Sequence, residues 1–459
     1  MRTLLATALL ITLSGCAFGP KYQRPDINPP TTFRGDSASN APAIAESLGD
    51  AQWWTVFKDE ELQKLIQTAL VENFDLRIAA ARIDQAAAQL GVTRTDQLPT
   101  INVAGSAGRL RTPSNPVVPA YETNLSQLGP SAVWQLDFWG KYRKATQAAR
   151  AELVASEWGQ KAVVATLVAN VATAYFQLRA LDLELEISKR TLDARRESLS
   201  LNRTLEEGGA VSRIDVYQAE ILVEQAASAI PDLERRITQQ ENLISVLLGK
   251  NPDNIARGLA LTDQPLLPEI PAGIPSSLLD RRPDIVEAEL KLVAANARIG
   301  VAKAAYFPQV TLTGNAGVQA YSFDGLFNST IYNVGVTVSQ PLFDLRRIRS
   351  NVQLTEAQKE ELIATYLQAV QQAFREVSDA LVANEKNHQY RERQQALRTA
   401  AQQANDLSTI RYQGGATSYL EVLQSATNLF EAEIGLAQAQ LNERLAVVQI
   451  YNALGGGWQ

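Results

Sequence analysis

Two kinds of pattern alternate along this chain, and each occurs in both halves. In 309–319, Val310, Leu312, Gly314, Ala316 and Val318 alternate with Gln309, Thr311, Thr313, Asn315 and Gln319. In 331–339, Tyr332, Val334, Val336 and Val338 alternate with Asn333, Gly335, Thr337 and Ser339. A period of two puts the apolar set on one face of a β-strand and the polar set on the other. The first half repeats this less cleanly, with Ile101 and Val103, then Ala132, Trp134, Leu136 and Phe138. The expected strands are 99–111 and 125–139, then 308–320 and 331–343, each pair joined by a loop rich in Gly, Asn, Ser and Pro. The apolar face could be the core side of a soluble sheet or the lipid side of a membrane barrel, and the pattern allows both. Trp134, Phe138, Trp139 and Phe343 cluster where barrel strands would leave the membrane, as an aromatic girdle does.

The other pattern is helical. From Gly140 to Glu206 there is no Pro, and apolar residues recur every seven positions at Val164, Val171, Leu178, Leu185, Leu192 and Leu199. After a Gly-Gly turn, a second seam runs Val216, Ala219, Val223, Ala226, Ile230, Leu233, Ile237 and Ile244. Spacings of three and four over many turns predict coiled-coil packing. Pro231 is expected to interrupt and kink this second helix. A helix of roughly 66 residues is roughly 100 Å long, the length of a strut or tube rather than of a globular core. Shorter helical segments, 59–98 and 276–307, open each half and end at Pro99 and Pro308.

These patterns belong to an internal repeat. Asp75 aligns with Asp284, Gly91 with Gly300, Pro99 with Pro308 and Gly105 with Gly314, all at one offset. Three residues of that offset are lost within 108–143, after which Gly208-Gly209-Ala210 aligns with Gly414-Gly415-Ala416 and Leu248-Gly249 with Leu454-Gly455. The expected organisation is a signal segment 1–15, an extended arm 16–58, a first unit 59–250, a Pro-rich linker 251–275 and a second unit 276–459. The helical hairpins are expected at 140–249, with its tip at 206–217, and at 345–454, with its tip at 412–424.

Composition removes several classes. The 459 residues are 46% hydrophobic and 20% charged, with net charge −6, so a large core is available and a basic nucleic-acid face is not expected. One Cys, one Met and one His leave no material for a Cys/His metal site. His388, in a polar run, reads as an exposed helix residue with no nearby partner. Acidic residues are plentiful, but no catalytic constellation or phosphate loop is recognisable, so neither an enzyme nor a cofactor is expected. Residues 1–16, MRTLLATALLITLSGC, have the short basic start and short apolar run of a secretory signal. Leu13-Ser14-Gly15-Cys16 resembles the bacterial lipobox, which makes Cys16 the expected lipidation site. Ala17 after it is compatible with outer-membrane delivery.

Four strands cannot close a membrane barrel, and an open edge in lipid leaves backbone groups unpaired. Several chains must then contribute. Two would give a filled barrel, and three could leave a conduit.

Over essentially its whole length the chain resembles the NodT-type outer-membrane lipoproteins, relatives of TolC and OprM. The resemblance rests on Gly15-Cys16-Ala-Phe-Gly-Pro-Lys-Tyr-Gln-Arg-Pro25, Trp53-Trp54-Thr-Val-Phe57, Leu279-Asp-Arg-Arg-Pro-Asp284, Ala295-Asn-Ala-Arg-Ile-Gly300, Tyr306-Phe-Pro308, the run Arg411 to Val422, and Ala453-Leu-Gly-Gly-Gly-Trp458. It implies a mainly helical, TolC-like fold. In it, a homotrimer forms a twelve-stranded outer-membrane β-barrel continued by a periplasmic α-barrel. It implies conduction in a tripartite efflux system, with a membrane-fusion adaptor and an inner-membrane transporter, of the resistance-nodulation-division type, as partners. The adaptor would meet the tips at Gly208, Gly209, Ser212, Arg213, Gly414, Gly415 and Ser418. Leu420, Glu421 and Gln424, with Tyr412 near the turn, match the family's constriction. Relatives commonly carry Asp where Gln424 stands, so Glu421 is the candidate for a ring of three carboxylates, whose crowding would make closure sensitive to cations and pH. The rivals are an exporter of polypeptides on the same architecture and a periplasmic coiled-coil scaffold.

Overall fold

In the computed structural model, residues 18–34, 47–114, 116–117, 119–265, 275–321, 325, 327 and 329–458 are described. Cys16 and the expected signal segment lie outside them, as do 35–46 of the arm and 266–274 of the linker. Among the described residues the helices are α1 (Trp53–Val56), α2 (Glu60–Glu72), α3 (Phe74–Thr95), α4 (Lys141–Glu207), α5 (Arg213–Leu247), α6 (Leu278–Arg281), α7 (Pro283–Ala304), α8 (Leu345–Gln413) and α9 (Tyr419–Ala453). The strands are β1 (Thr100–Thr112), β2 (Tyr121–Leu136), β3 (Gln309–Ala320) and β4 (Thr330–Ser339). The fold is mainly helical, with one small sheet and two long helical hairpins.

Three local expectations are corrected. The segment 59–98 is two helices, not one. Asn73 is extended, its Oδ1 accepts from the backbone N–H groups of Asp75 (2.7 Å) and Leu76 (3.2 Å), and it thereby starts α3. Helix α5 is not interrupted at Pro231 but runs through it. Pro231 itself is exposed, and the helix continues despite the missing N–H donor. Strands β2 and β4 end at Leu136 and Ser339, so Phe138, Trp139 and Phe343 lie in the strand–helix junctions rather than in strands. Asp137 follows β2, and its Oδ2 accepts from Arg143 N in the first turn of α4 at 2.9 Å.

The chain divides into two compact units. One comprises 1–27, 81–157 and 287–368, the other 28–80, 158–286 and 369–459. The first holds the antiparallel sheet, ordered β1-β2-β3-β4. Its register sets Trp134 opposite Leu312 and Leu312 opposite Val336, with Gln135, Thr311 and Thr337 on the other face. The apolar face is bare. Val334 is 75% exposed, Val336 65% and Val103 75%, whereas a soluble sandwich would bury them. The exposure favours the lipid-facing alternative. Where β2 and β3 cross most closely, a side chain on Gly129 would collide with the backbone of Ala316 and Gly317. Pairing of Thr100 with Val133, Leu136 with Val310 and Gln309 with Ser339 gathers all four strand–helix junctions at one end of the sheet. Small residues close the helices beneath it, with Ala148 and Ala151 packed on Ala294 and Ala297.

The second unit holds the hairpin turns and the return helices. Here the repeat is visible in bonding. Asn73 Nδ2 donates to Leu247 O at 2.9 Å, and Arg282 Nη1, at the aligned position, donates to Ala453 O at 3.2 Å. In each half the residue that opens a helix satisfies a carbonyl at the end of the hairpin. His388 is an exposed helix residue as expected, but not one without partners. Its Nδ1 lies 2.8 Å from Glu443 Oε1 and its Nε2 3.4 Å from Glu392 Oε1. The first partner is 55 positions away in sequence, so no local reading could have found it.

Asp59 organises this unit. It is 1% exposed. Its Oδ2 accepts from Tyr175 Oη (2.9 Å), Leu259 N (2.9 Å) and Gln264 Nε2 (2.6 Å), while its Oδ1 caps α2 through Glu61 N (2.9 Å). A buried carboxylate is tolerated when donors surround it in this way. Burial, with Asp59 alongside, raises the Tyr175 hydroxyl well above its ordinary range. Asp59→Ala strands several buried donors and is expected to cost about 3 kcal/mol or more. The loss is read as earlier thermal melting of the helical circular dichroism. A variant as stable as the parent would contradict this role.

Candidate functional site

The two hairpin turns are built alike. At the first, Gly209 N donates to Glu206 O (2.9 Å) and Ala210 N to Leu205 O (2.8 Å), with Gly209 at φ +72°. At the second, Gly415 N donates to Tyr412 O (2.9 Å) and Ala416 N to Arg411 O (2.8 Å), with Gly415 at φ +70°. This is the Schellman ending, and the left-handed residue in it is where glycine costs least. Gly208 and Gly414 precede these residues, and Ser212 and Ser418 begin the next helices.

The turns differ in how those helices are capped. Ser212 Oγ accepts from Ile214 N at 3.4 Å, and Asp215 Oδ2 accepts from Ser212 N at 3.1 Å, a reciprocal capping box. Arg213 lies 5.7 Å from the Tyr217 ring. Ser418 makes no such side-chain cap. Glu421, aligned with Asp215, turns instead to Arg411 Nη1 at 3.2 Å and to Thr417 Oγ1. The aligned residues in the first half are Leu205 and Val211, which can offer no such bonds. Glu421, the candidate for a ring of three carboxylates, is thus ion-paired within its own chain.

The four candidate constriction residues do not come together. Leu420 (59% exposed), Glu421 and Gln424 share the open face of α9, where Gln424 Nε2 donates to Asn428 Oδ1 at 2.9 Å. Tyr412 points the other way. Its hydroxyl donates to Asn202 Oδ1 at 2.6 Å, joining the second hairpin to the first.

Around Tyr412 lies a set that sequence reasoning missed. Asn202 is wholly buried, and its Nδ2 donates to Ser198 O at 2.9 Å. Ser198 Oγ in turn meets Tyr419 Oη at 3.2 Å, and the Tyr412 and Tyr419 rings lie 5.3 Å apart. Burial raises both phenols above their ordinary range. Beside them is a cavity of about 530 Å³ lined in part by Arg195, Ser198, Tyr412, Tyr419 and Phe430. Arg195 is 6% exposed; its Nη1 donates to Leu222 O at 2.7 Å, its guanidinium lies 5.2 Å from the Phe430 ring, and burial lowers its pKa. Leu192, Leu199, Val216 and Val422 pack this region. A signal did exist, because Tyr412 and Tyr419 align with Glu206 and Arg213, a departure that a mere duplicate would not need. Farther along, Glu433, 8% exposed, holds Arg190 at 2.8 Å and Arg398 at 3.2 Å. Among the described residues, no group of three or more His, Cys, Asp or Glu is placed to hold a metal.

Comparison with known proteins agrees with this architecture. A family model described as outer membrane efflux protein matches residues 65–250 and 274–456. The chain is 36% identical over 464 aligned residues to the probable efflux pump outer membrane protein TtgC of Pseudomonas putida, covering 99% of this chain and 95% of that one. It is 32% identical to the cation efflux system protein CusC of Escherichia coli, covering 99% of both. The solved outer-membrane channel OprN superposes with a TM-score of 0.90 at 29% identity, over 96% of this chain and all of that one. With paired hairpins, an open four-stranded sheet and matches spanning nearly its full length, the chain belongs to the outer membrane efflux protein family.

Proposed function

We propose that the protein is the outer-membrane channel of a tripartite efflux system, a passive conduit which passes small toxic compounds from an inner-membrane transporter and a periplasmic adaptor to the exterior. The observation that carries this is the sheet with a bare apolar face and two unpaired edges, in a chain of this family. Three chains would pair β4 of one with β1 of the next and close a barrel of twelve strands around an aqueous lumen. The uncharged polar face, with Gln127 Nε2 donating to Gln319 Oε1 at 2.8 Å, would line it. Relatives are named for cation, toluene and antibiotic efflux. That breadth on one architecture supports selection of the cargo by the transporter rather than the channel.

The hairpin turns, with Gly208, Gly209, Ser212, Arg213, Gly414, Gly415 and Ser418, would meet the adaptor. Closure would be held inside each chain by the Tyr412–Asn202 and Tyr419–Ser198 contacts, while Leu420, Glu421 and Gln424 face the pathway. Opening would then separate the second hairpin from the first, exchanging these buried bonds for water. Cys16 would carry the acyl anchor, supplementing the strands.

Tyr412→Phe removes one such bond, about 1 kcal/mol per chain. If three chains open together, the open fraction in planar bilayers should rise by roughly one to two orders of magnitude. Unchanged gating would sink this assignment, whereas absence of any conductance in the parent protein would sink the channel itself. Cys16→Ala should abolish incorporation of labelled palmitate while the barrel still inserts. Labelling that persists in the variant would place the anchor elsewhere.

A further inference from the structure

The junction end of the sheet carries a charge pattern that channel function does not require. Helix α4 opens Lys141-Tyr142-Arg143-Lys144, and α8 opens Leu345-Arg346-Arg347-Ile348-Arg349. Neither has an acidic residue in its first turn, whereas α2, α3, α5, α7 and α9 all do. Cations at a helix start oppose the helix dipole, so local stability does not call for them. Nor does the chain's overall balance, which is net −6.

Few of these charges are neutralised within the chain. Arg143 pairs with Asp137 at 3.3 Å and Arg347 with Asp344 at 2.6 Å. Lys144 Nζ reaches only an amide oxygen, that of Gln147 at 2.9 Å, and Lys141 Nζ lies 5.3 Å from the Tyr142 ring. Arg346 and Arg349 are exposed and have no carboxylate partner among the described residues.

Apolar side chains stand beside these cations. Phe343 is fully exposed and Leu342 is 69% exposed. Trp139 stacks on Phe307 at 4.8 Å and donates its Nε1–H to Pro308 O at 2.7 Å. The Phe18 ring lies 4.4 Å from Phe307. The chain is thus fixed at this junction two residues after Cys16, where the proposed acyl anchor begins. An apolar strand face, aromatic side chains and then basic ones is the order met on leaving hydrocarbon for a phosphate layer.

We propose that this basic collar binds the headgroups of anionic phospholipids in the membrane leaflet next to the helices. The proposal rests on the barrel reading above. Charge complementarity selects the partner. Guanidinium and ammonium groups held at the headgroup level favour lipids of net negative charge over zwitterionic ones. The collar is also continuous with the bare apolar face, so a lipid whose chains lie against β4 has its phosphate within the reach of Arg346 and Arg349.

The test uses the full-length protein reconstituted in phosphatidylcholine bilayers, with Trp134 and Trp139 as reporters. Brominated phosphatidylglycerol or brominated phosphatidylcholine is added, and quenching of tryptophan fluorescence is compared. The phosphatidylglycerol is expected to associate about threefold more strongly or better at low salt, with the preference fading by about 1 M salt. Arg346→Gln with Arg349→Gln should bring the ratio near one and leave quenching by phosphatidylcholine unchanged. Arg346→Lys with Arg349→Lys should keep the preference, which separates charge from folding. An inserted parent protein with no preference, or a double Gln variant that retains it, overturns the collar alone. Absence of quenching by either lipid overturns the barrel reading and the collar with it.

Discussion

A β-sheet with two unpaired edges cannot enter hydrocarbon, because each free N–H and C=O there has no water to turn to. That constraint governs the rest of this protein. Strand β1 pairs only with β2, and β4 only with β3, among the described residues. Their outward apolar rows are exposed in the single chain. Neither feature suits a soluble protein, where bare edges invite aggregation and exposed apolar rows lack a core. Both are resolved at once if neighbouring chains complete the sheet and lipid covers its face. The aromatic and basic residues at the strand–helix junctions then fall where a membrane boundary would put them.

The repeat supplies symmetry cheaply, and its departures supply function. Asn73 and Arg282 do the same work with different side chains, each satisfying a carbonyl at the end of a hairpin. The turns at Gly209 and Gly415 share one backbone. Beyond these, the halves separate. Asp215 closes a capping box on its own helix, while Glu421 reaches Arg411 on the opposing helix. The second half alone places Tyr412 and Tyr419 against Asn202 and Ser198 of the first. A gate needs a contact that two otherwise equivalent hairpins do not share, and the proposed closure assigns that part to these tyrosines.

Much of this was legible in the sequence. Alternation located the strands, the seven-residue spacing located the long helices, and paired glycines located both turns. What escaped were relations across distance. Asn202 is an ordinary polar residue in a heptad pattern until Tyr412 is seen to reach it, and the nearer partner of His388, Glu443, lies on the next helix. Local chemistry could also mislead. Pro231 should break a helix, yet α5 runs through it, and Asn73 stops a helix that composition alone would continue. The pairing of Glu421 with Arg411 was not legible, because it depends on how the turn folds back.

The account stands or falls on the sheet edges. The most direct measurement is disulfide scanning in outer membranes, with one cysteine placed within Thr100–Thr112 and another within Thr330–Ser339 of the full-length chain. At a matching register the account predicts covalent species up to trimers and nothing larger, because three chains close the barrel. Monomers at every register, or a ladder that continues past three, would contradict it.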